Sequence, residues 1–393
     1  MTTATTTDWR ERHAHDLMAS YAPPLRLLTR GEGCWVWDDE GTEYLDFLGG
    51  IAVNSLGHAH PVVVEAVSTQ IATLAHISNY FASLSQLQLA ETLKRITGAG
   101  EEGRVYFGNS GAEANEAAFK LARRTGRPRI LALKNSFHGR TMGALALTGK
   151  PALQEPFLPL PAGVEHLDTT VEALEEAVRD DVAALVVEPI KGETGVVPLP
   201  DGYLTAARRI TERHGALLVV DEIQTGVGRT GDWFAYQHEG VLPDAVTIAK
   251  GIAGGVPLGA MVTFGPASAL LQRGDHGSTF GGNPLATAAA NAVLAEIERA
   301  DLIGNAARRG EQIRAAVEGM GSPLVTEVRG RGLLIGVGTV DAAAPAIAQT
   351  ALAAGLIVNA INPTSIRIAP PLIVGDREIE AFTDRFRTAL AQA

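Results

Sequence analysis

The chain predicts an α/β fold built on a mostly parallel sheet flanked by helices, and three features of its sequence support this. Short apolar runs at 183–187, 216–220 and 245–249 have the length and branched residues of strands that are buried on both faces. Segments with helical spacing of apolar residues, such as 171–178 and 204–214, lie between such runs. Forty-three glycines suit a fold with many tight turns between strands and helices.

The length of 393 residues predicts two domains. We expect a large domain at 62–284 and a small α+β domain formed by 1–61 together with 285–393. No apolar run approaches the roughly 18 residues of a membrane span, and the N-terminus lacks the apolar region of a secretory signal. Met1–Thr7 is predicted to be a frayed tail.

Composition narrows the class of partner and the compartment. The net charge of −11 argues against nucleic acid, although a local site can still bind an anion. Cys34 is the single cysteine, so no internal disulfide can form, and a cytoplasmic location is the simplest expectation. We therefore expect small-molecule partners and neither nucleic acid nor membrane.

The elements are predicted in chain order from periodicity and turn residues. Two short strands flank a turn at 39–41, and a helix begins at Pro61, where the missing N–H is tolerated. His58 and His60 precede this helix and favour a turn role, because further metal ligands are not apparent nearby. The remaining strands are predicted at 104–107, 129–133, 183–187, 216–220, 245–249, 260–264, 332–337 and on both sides of Asn362–Pro363. The remaining helices are predicted at 85–97, from Ser110, at 171–178, 204–214, from Pro284, at 302–320 and at 344–354.

One turn between a strand and a helix is suited to a phosphate. The segment GNSGAEANE follows the strand at 104–107, and a helix opens at Ser110, Gly111 and Ala112. Free N–H groups and the positive end of the helix dipole favour an anion at such a start. Ser110 could equally be only an N-cap, with Glu113 completing a capping box, and both interpretations can hold together.

A second strand end carries an aromatic ring and an arginine. In SFHGRT, which follows the strand at 129–133, Phe137 could stack on a planar ring, and Arg140 could bind a carboxylate through two parallel hydrogen bonds. The alternative is a surface loop with a solvated arginine.

An acid and an amine end two further strands. Asp221 follows the run at 216–220, and Lys250 follows the run at 245–249. Ligands of open α/β sheets bind at the carboxyl ends of the strands. One chemistry that needs this pair is pyridoxal phosphate catalysis, in which a lysine forms a Schiff base and a carboxylate keeps the pyridine nitrogen protonated. Taken alone, Asp221 could instead be a helix cap and Lys250 a solvated surface residue.

Several segments together resemble the class III pyridoxal-phosphate aminotransferases, a subgroup of fold type I. The resemblance rests on six segments in matching order and runs from about Pro24 to the C-terminus: NSGAEANEAAFKLAR, SFHGRT, VVEPIKGETG, VVDEIQTGVGRTG, TIAKGIAGGVPLGA and STFGGNPLA. It implies a mostly parallel seven-stranded sheet and pyridoxal 5′-phosphate as cofactor. One departure is Thr194, where many relatives carry glycine; its Cβ could change the mobility of the loop that carries Glu193.

The resemblance also implies roles for individual residues toward the cofactor. Lys250 would hold the cofactor covalently and then act as general base, and Asp221 would pair with the pyridine nitrogen. Gln224 would bond the phenolic oxygen, and Phe137 would stack on the ring. The phosphate would be held by four residues: Ser110, Gly111, Ala112 and Thr279, the last of them acting across a dimer interface. No metal site is expected.

Substrate roles follow from the same resemblance. Arg140 would bind the substrate α-carboxylate, with Ser278 nearby, and Arg367 would bind the second carboxylate of glutamate or 2-oxoglutarate. From alternation alone, Arg367 lies on the polar face of a strand, where arginines are usually solvated. Glu193 would pair with Arg367 when the substrate has no carboxylate there. A shared site implies a symmetric homodimer.

The resemblance is greatest to family members that transaminate N2-acetylornithine. They transfer its terminal amino group to 2-oxoglutarate in arginine biosynthesis. Ornithine, succinylornithine and 4-aminobutyrate are rival donors. An aminomutase or racemase of the same fold would not need Arg367 and Glu193. A non-catalytic binding protein would not need Lys250, Asp221 and Arg140 together.

Overall fold

The computed structural model describes residues 9–393, and the predicted frayed tail at 1–7 lies outside this range. Its helices are α1 (Trp9–Asp16), α2 (Gly49–Ala52), α3 (Pro61–Thr73), α4 (Leu84–Thr97), α5 (Gly111–Arg123), α6 (Met142–Leu147), α7 (Pro151–Gln154), α8 (Val171–Ala177), α9 (Tyr203–His214), α10 (Pro284–Arg299), α11 (Leu302–Gly319), α12 (Ala344–Ala353) and α13 (Asp376–Gln392). The predicted helices are therefore confirmed to within a few residues.

The strands also follow the predicted order. They are β1 (Leu28–Glu32), β2 (Trp35–Asp38), β3 (Glu43–Asp46), β4 (Arg104–Gly108), β5 (Arg129–Leu133), β6 (Val164–Leu167), β7 (Val182–Val187), β8 (Ile190–Lys191), β9 (Val197–Pro198), β10 (Leu217–Asp221), β11 (Ala245–Ile248), β12 (Gly259–Thr263), β13 (Val325–Arg331), β14 (Leu334–Thr339), β15 (Leu356–Ile357), β16 (Asn359–Asn362) and β17 (Ser365–Ile368). Every strand predicted from the sequence is present.

The central sheet has seven strands in the order β4-β12-β11-β10-β7-β5-β6. Strands β6, β5, β7, β10 and β11 are parallel neighbours, whereas β12 pairs antiparallel with both β11 and β4. The predicted mostly parallel sheet is confirmed, with β12 as its one reversed strand. Strands β7 and β11 are buried along their whole length, as expected for strands covered by helices on both faces.

Besides the two-stranded pair β8-β9, two four-stranded sheets lie outside the central one. One has the order β13-β14-β17-β16 and comes entirely from the last seventy residues or so. The other joins β1, β2 and β3 to β15, so that an N-terminal segment pairs with a C-terminal one through Leu45–Leu356 and Asp46–Ile357. This pairing agrees with a small domain formed from both ends of the chain, which stays a prediction.

The helices cover the central sheet and carry the contacts that hold it. Helix α5 packs on β12, β11 and β4, and its buried face includes Ala114, Ala117, Ala118 and Leu121. Helix α10 packs on α3 and α4 through small alanines, which permit close approach. Among residues 9–393, no helix is both long and apolar enough to cross a bilayer.

Candidate active site

The central sheet brings the predicted acid and amine to one edge. Strand β10 ends at Asp221, which pairs in register with Thr247 of β11, and Lys250 follows three residues later. The loops after β4, β5 and β7 leave the same edge because these strands run in the same direction. A cavity of about 390 Å³ lies there. Its wall includes nine of the predicted site residues: Ser110, Gly111, Ala112, Phe137, Arg140, Glu193, Asp221, Gln224 and Lys250.

Asp221 is held rigidly by three hydrogen bonds. Its carboxylate accepts from Asn115 Nδ2 at 2.8 Å, from His138 Nδ1 at 2.7 Å and from the Ile223 backbone N–H at 3.0 Å. The residue is 4% exposed, so an additional donor can reach it only from the cavity. This arrangement suits a carboxylate that fixes a protonated ring nitrogen.

Lys250 is a buried amine at the cavity wall and not the solvated lysine of the alternative interpretation. Burial lowers the pKa of Lys250 to about 8. The positive charge of Arg367 also lowers this pKa, whereas the carboxylates of Glu193, Glu188 and Asp221 raise it. Its φ of 46° lies in the left-handed region that few residues with side chains adopt. A lysine that is partly neutral near physiological pH is suited to attack a carbonyl and to transfer protons.

Helix α5 directs its N-terminus into the cavity. Ser110 is the N-cap, and its side chain accepts from the Glu113 N–H at 3.1 Å, as predicted. The predicted capping box is not formed, because the Glu113 carboxylate accepts from Asn109 and not from the Ser110 N–H. Gly111, at the helix start, packs so close to Ile223 that a Cβ would lie 2.8 Å from that side chain. The capping and phosphate interpretations are compatible, because Ser110, Gly111 and Ala112 at the start of the helix also line the cavity.

Phe137 and Arg140 share the opposite part of the wall. The Phe137 N–H donates to Glu188 Oε1 at 2.8 Å, which ties the loop after β5 to the end of β7. The Arg140 guanidinium carbon lies 5.8 Å from the centre of the Phe137 ring. Arg140 is exposed to the cavity and free to meet an anion there.

Arg367 lies behind the cavity wall and is only 1% exposed, so it is not the solvated arginine that alternation alone would favour. The face of β17 that carries it is covered by the loop that carries Glu193. Arg367 forms an ion pair with Glu193 and donates to Gln224 Oε1 at 3.0 Å and to Asn359 Oδ1 at 2.9 Å. Burial alone would raise the pKa of Glu193, but Arg367 and Lys250 outweigh it and lower the pKa to about 2.

Besides Arg367, two further predicted residues lie outside this cavity. Ser278 accepts from Asn109 Nδ2 at 2.9 Å, so it reaches the site only through a neighbour that lines the wall. Thr279 is exposed on the surface. Both positions agree with residues that serve a second subunit, and their roles stay predictions.

Sequence reasoning missed three buried groups that position the site. His138 and Asn115 hold Asp221, and Glu188 joins two loops by accepting from Phe137 and from Gly192 at 3.2 Å. Burial raises the pKa of Glu188 to about 7. Burial alone would lower the pKa of His138, but its bond to Asp221 and the nearby carboxylates raise it. The available signal was that all three lie in segments that carry the family resemblance: Asn115 in NSGAEANEAAFKLAR, His138 in SFHGRT and Glu188 in VVEPIKGETG.

The donor set fits pyridoxal phosphate. A partly neutral buried amine at Lys250, a fixed carboxylate at Asp221, an aromatic face at Phe137 and the start of α5 at Ser110 surround one cavity. These are the groups needed to bind an aldehyde, a pyridine nitrogen, a planar ring and a phosphate. Within residues 9–393, no group of three or more His, Cys, Asp or Glu side chains is arranged to hold a metal ion.

This fold and this site define a pyridoxal-phosphate-dependent enzyme. More closely, the chain belongs to the class III aminotransferases, whose family model (Aminotransferase class-III) matches residues 17–390. This family depends on pyridoxal 5′-phosphate.

The similar proteins agree with this family. The chain is 56% identical over 385 residues to the acetylornithine aminotransferase of Streptomyces coelicolor, and the alignment covers 98% of this chain and 95% of that protein. It is 51% identical over 390 residues to that of Mycobacterium tuberculosis strain H37Rv, covering 99% and 98%. The ornithine aminotransferase of Toxoplasma gondii superposes with a TM-score of 0.93 at 34% identity, covering 99% and 95%. The acetylornithine aminotransferase of Elizabethkingia anophelis superposes with a TM-score of 0.87 at 30% sequence identity, and the match covers 98% of each chain.

Proposed function

We propose that the chain transfers the terminal amino group of N2-acetyl-L-ornithine to 2-oxoglutarate, giving N-acetyl-L-glutamate 5-semialdehyde and L-glutamate. The observation that carries this proposal is the buried Arg367–Glu193 pair beside a cavity that also contains Arg140. The printed names of the bacterial relatives, at 51% and 56% identity over nearly the whole chain, support the same donor. The reaction would serve arginine biosynthesis in the cytoplasm.

The two arginines would let one cavity accept two kinds of substrate. Arg140 would bind the α-carboxylate of the acetylated donor, whose amino end reaches the reaction centre. Arg367 would bind the second carboxylate of glutamate or 2-oxoglutarate. A buried arginine without a partner would be strongly unfavourable, so Glu193 would neutralise it whenever the substrate does not.

The reacting groups would be Lys250 and Asp221. The cofactor supplies an electron sink for the carbanion formed at the substrate carbon and stores the amino group between the two half-reactions. Lys250 Nζ would carry a proton from the substrate carbon that bears the amine to the aldehyde carbon of the cofactor, and in the opposite direction in the second half-reaction. Asp221 would keep the ring nitrogen protonated, with His138 and Asn115 holding the carboxylate in place. Gln224 and Phe137 would orient the ring, and Ser110, Gly111 and Ala112 would bind the phosphate.

We also infer a symmetric homodimer whose two sites are shared. Thr279 would complete the phosphate site of the partner subunit, and Ser278 would lie near its substrate. The exposure of Thr279 outside the cavity of its own chain supports this arrangement. The division into 62–284 and the combined ends 1–61 and 285–393 is part of the same proposal.

A panel of amino donors tests the proposal. N2-acetylornithine, N2-succinylornithine, ornithine and 4-aminobutyrate would each be assayed with 2-oxoglutarate by the formation of glutamate. We expect the highest kcat/KM for N2-acetylornithine. A tenfold or greater preference for ornithine or 4-aminobutyrate would overturn the assignment of the donor.

A further inference from the structure

The loop that carries Glu193 is attached to its surroundings at several points. It consists of the short 3-10 turn Gly192–Thr194 and ends at Gly195, whose φ of 111° favours glycine. Only the Glu193 side chain of this turn reaches both Arg367 and the cavity wall. The position of the loop backbone therefore decides how readily the carboxylate meets Arg367.

Two side chains hold the backbone of the turn from different sides. Lys150 Nζ donates to the carbonyl oxygen of Glu193, and Asn362 Nδ2, at the end of β16, donates to the carbonyl oxygen of Thr194 at 3.2 Å. Both contacts use backbone acceptors. They fix the backbone of the turn and leave the Glu193 carboxylate to its own partners, Arg367 and Gln224.

The Thr194 side chain adds a third attachment, to the turn after β5. Its hydroxyl donates to the carbonyl oxygen of Asn135. Asn135 has a φ of 63°, and its N–H donates to the Gly149 carbonyl at 2.8 Å. Lys191 Nζ donates to the neighbouring Lys134 carbonyl at 2.8 Å. The acceptor of the Thr194 bond is thus itself held in place.

This bond joins the two substrate-binding walls. The turn at Asn135 leads directly into Phe137 and Arg140, which line the cavity, whereas Glu193 faces Arg367 on the other side. We propose that Thr194 is a specificity-determining positioning residue: its hydroxyl holds the Glu193 loop closed on Arg367 and thereby favours donors without a carboxylate at that end. This inference rests on the proposed function of the Arg367–Glu193 pair.

The variant Thr194→Val tests the proposal because it removes the hydroxyl and keeps the branched shape. The free energy of one intramolecular hydrogen bond corresponds to roughly a three- to tenfold change in an equilibrium constant, here that between the closed and the released Glu193 loop. We therefore expect hydrogen–deuterium exchange in peptides covering 190–198 of the holoenzyme to be about three- to tenfold faster. We expect the Kd of glutarate, a dicarboxylate that Arg367 can bind, to fall by about the same factor.

The KM values of the two half-reactions should change in opposite directions. In single-turnover assays of Thr194→Val, the KM of the N2-acetylornithine half-reaction should rise and that of the 2-oxoglutarate half-reaction should fall, with little change in either limiting rate. Thr194→Ser keeps the hydroxyl and should restore all three readouts. Thr205→Val removes an exposed hydroxyl bonded to Glu239 at 3.0 Å and serves as the matched control.

The possible outcomes separate this inference from the function on which it rests. Unchanged exchange at 190–198 in Thr194→Val would overturn the anchoring role. Faster exchange with unchanged glutarate affinity and unchanged KM values would overturn the role in specificity. If the wild-type enzyme fails to use N2-acetylornithine at all, the proposed function fails, and this would be seen before any variant is made.

Discussion

At the scale of single residues, the buried amine of Lys250 has consequences for stability. Its pKa falls from 10.5 to about 8 on folding because burial disfavours the charged form. The unfolded chain therefore binds more protons than the folded one between about pH 8 and 10.5, and the free energy of unfolding contributed by this group rises with pH across that window. Below pH 8 both states are protonated and the contribution is constant.

This dependence can be measured in the cofactor-free protein. We expect Lys250→Met to stabilise the cofactor-free protein by roughly 3 kcal/mol more at pH 7 than at pH 10.5. At pH 10.5 the buried amine of the wild type is already neutral, so the substitution no longer removes a buried charge. Chemical denaturation of both proteins at the two pH values provides the measurement. An equal difference at both values would show that Lys250 is not desolvated.

Glu193 gives a second test at this scale. Replacing it with glutamine removes the charge that neutralises Arg367, so the half-reaction with N2-acetylornithine should slow by about tenfold or more, and the half-reaction with glutamate should change little. Single-turnover kinetics measure the two separately. Equal effects on both would argue against a role for Glu193 in accommodating two substrates.

Asp221 gives a third test at the scale of single residues. Asp221→Asn keeps the shape of the side chain but loses the charge beneath the ring nitrogen, and we expect kcat to fall by about a hundredfold or more. The Kd for pyridoxal phosphate, measured by absorbance titration, should rise as well. Retention of wild-type turnover would contradict the role assigned to this carboxylate.

Residues at the ends of strands could be predicted from the pattern of apolar runs, whereas the pattern gave no information about their long-range partners. Asp221 and Lys250 each follow a buried apolar run, and parallel strand ends meet at one edge. The bond from His138 to Asp221 spans 83 positions and the pair of Arg367 with Glu193 spans 174, so periodicity contains no information about either. The pairing of Arg367 with Glu193 was predicted through the family resemblance alone, and the structure contains this ion pair.

At the scale of elements, the start of helix α5 combines a structural and a binding role. Ser110→Ala should destabilise the cofactor-free protein by about 1 kcal/mol through loss of the cap. It should also weaken pyridoxal phosphate binding, since its backbone and hydroxyl face the cavity. Thermal denaturation and absorbance titration measure the two effects.

Helix α8 supplies the matched control. Thr170 caps it by accepting from the Ala173 N–H at 3.2 Å, and it is distant from the cavity wall. Thr170→Ala should therefore cost a similar amount of stability and leave cofactor affinity unchanged. If both variants weaken the cofactor equally, the effect at Ser110 is one of stability alone.

Element boundaries followed the sequence closely because caps and prolines mark them. Pro61 and Pro284 stand at the first positions of α3 and α10, and Gly215 ends α9 with a φ of 63°. The reversed direction of β12 had no such signal. The close packing of this strand had none either: at Gly259 a Cβ would lie 2.1 Å from the Ser110 carbonyl oxygen, and that approach is a property of the assembled fold.

At the scale of the whole molecule, the shared-site dimer can be tested by mixing subunits. Thr279→Asp should repel the phosphate of the partner site, and Lys250→Ala should remove the reacting amine of its own site. Each homodimer should be inactive. A mixed dimer would contain one site with both defects and one intact site, so random reassembly should restore about a quarter of the wild-type activity.

Two results would contradict the shared-site dimer. No recovery on mixing would mean that each chain completes its own site. Full activity of the Thr279→Asp homodimer would mean that Thr279 does not approach the phosphate. Size-exclusion chromatography with light scattering would check that both variants still assemble.

The most direct test of the central claim is to locate the covalent attachment of the cofactor. Borohydride reduction of the holoenzyme makes a lysine–cofactor link permanent, and peptide mass spectrometry then identifies the labelled residue. We expect the label on Lys250 alone and its loss in Lys250→Ala. A label on Lys150 or Lys191, the other two lysines whose pKa burial lowers, or no label at all, would contradict the account.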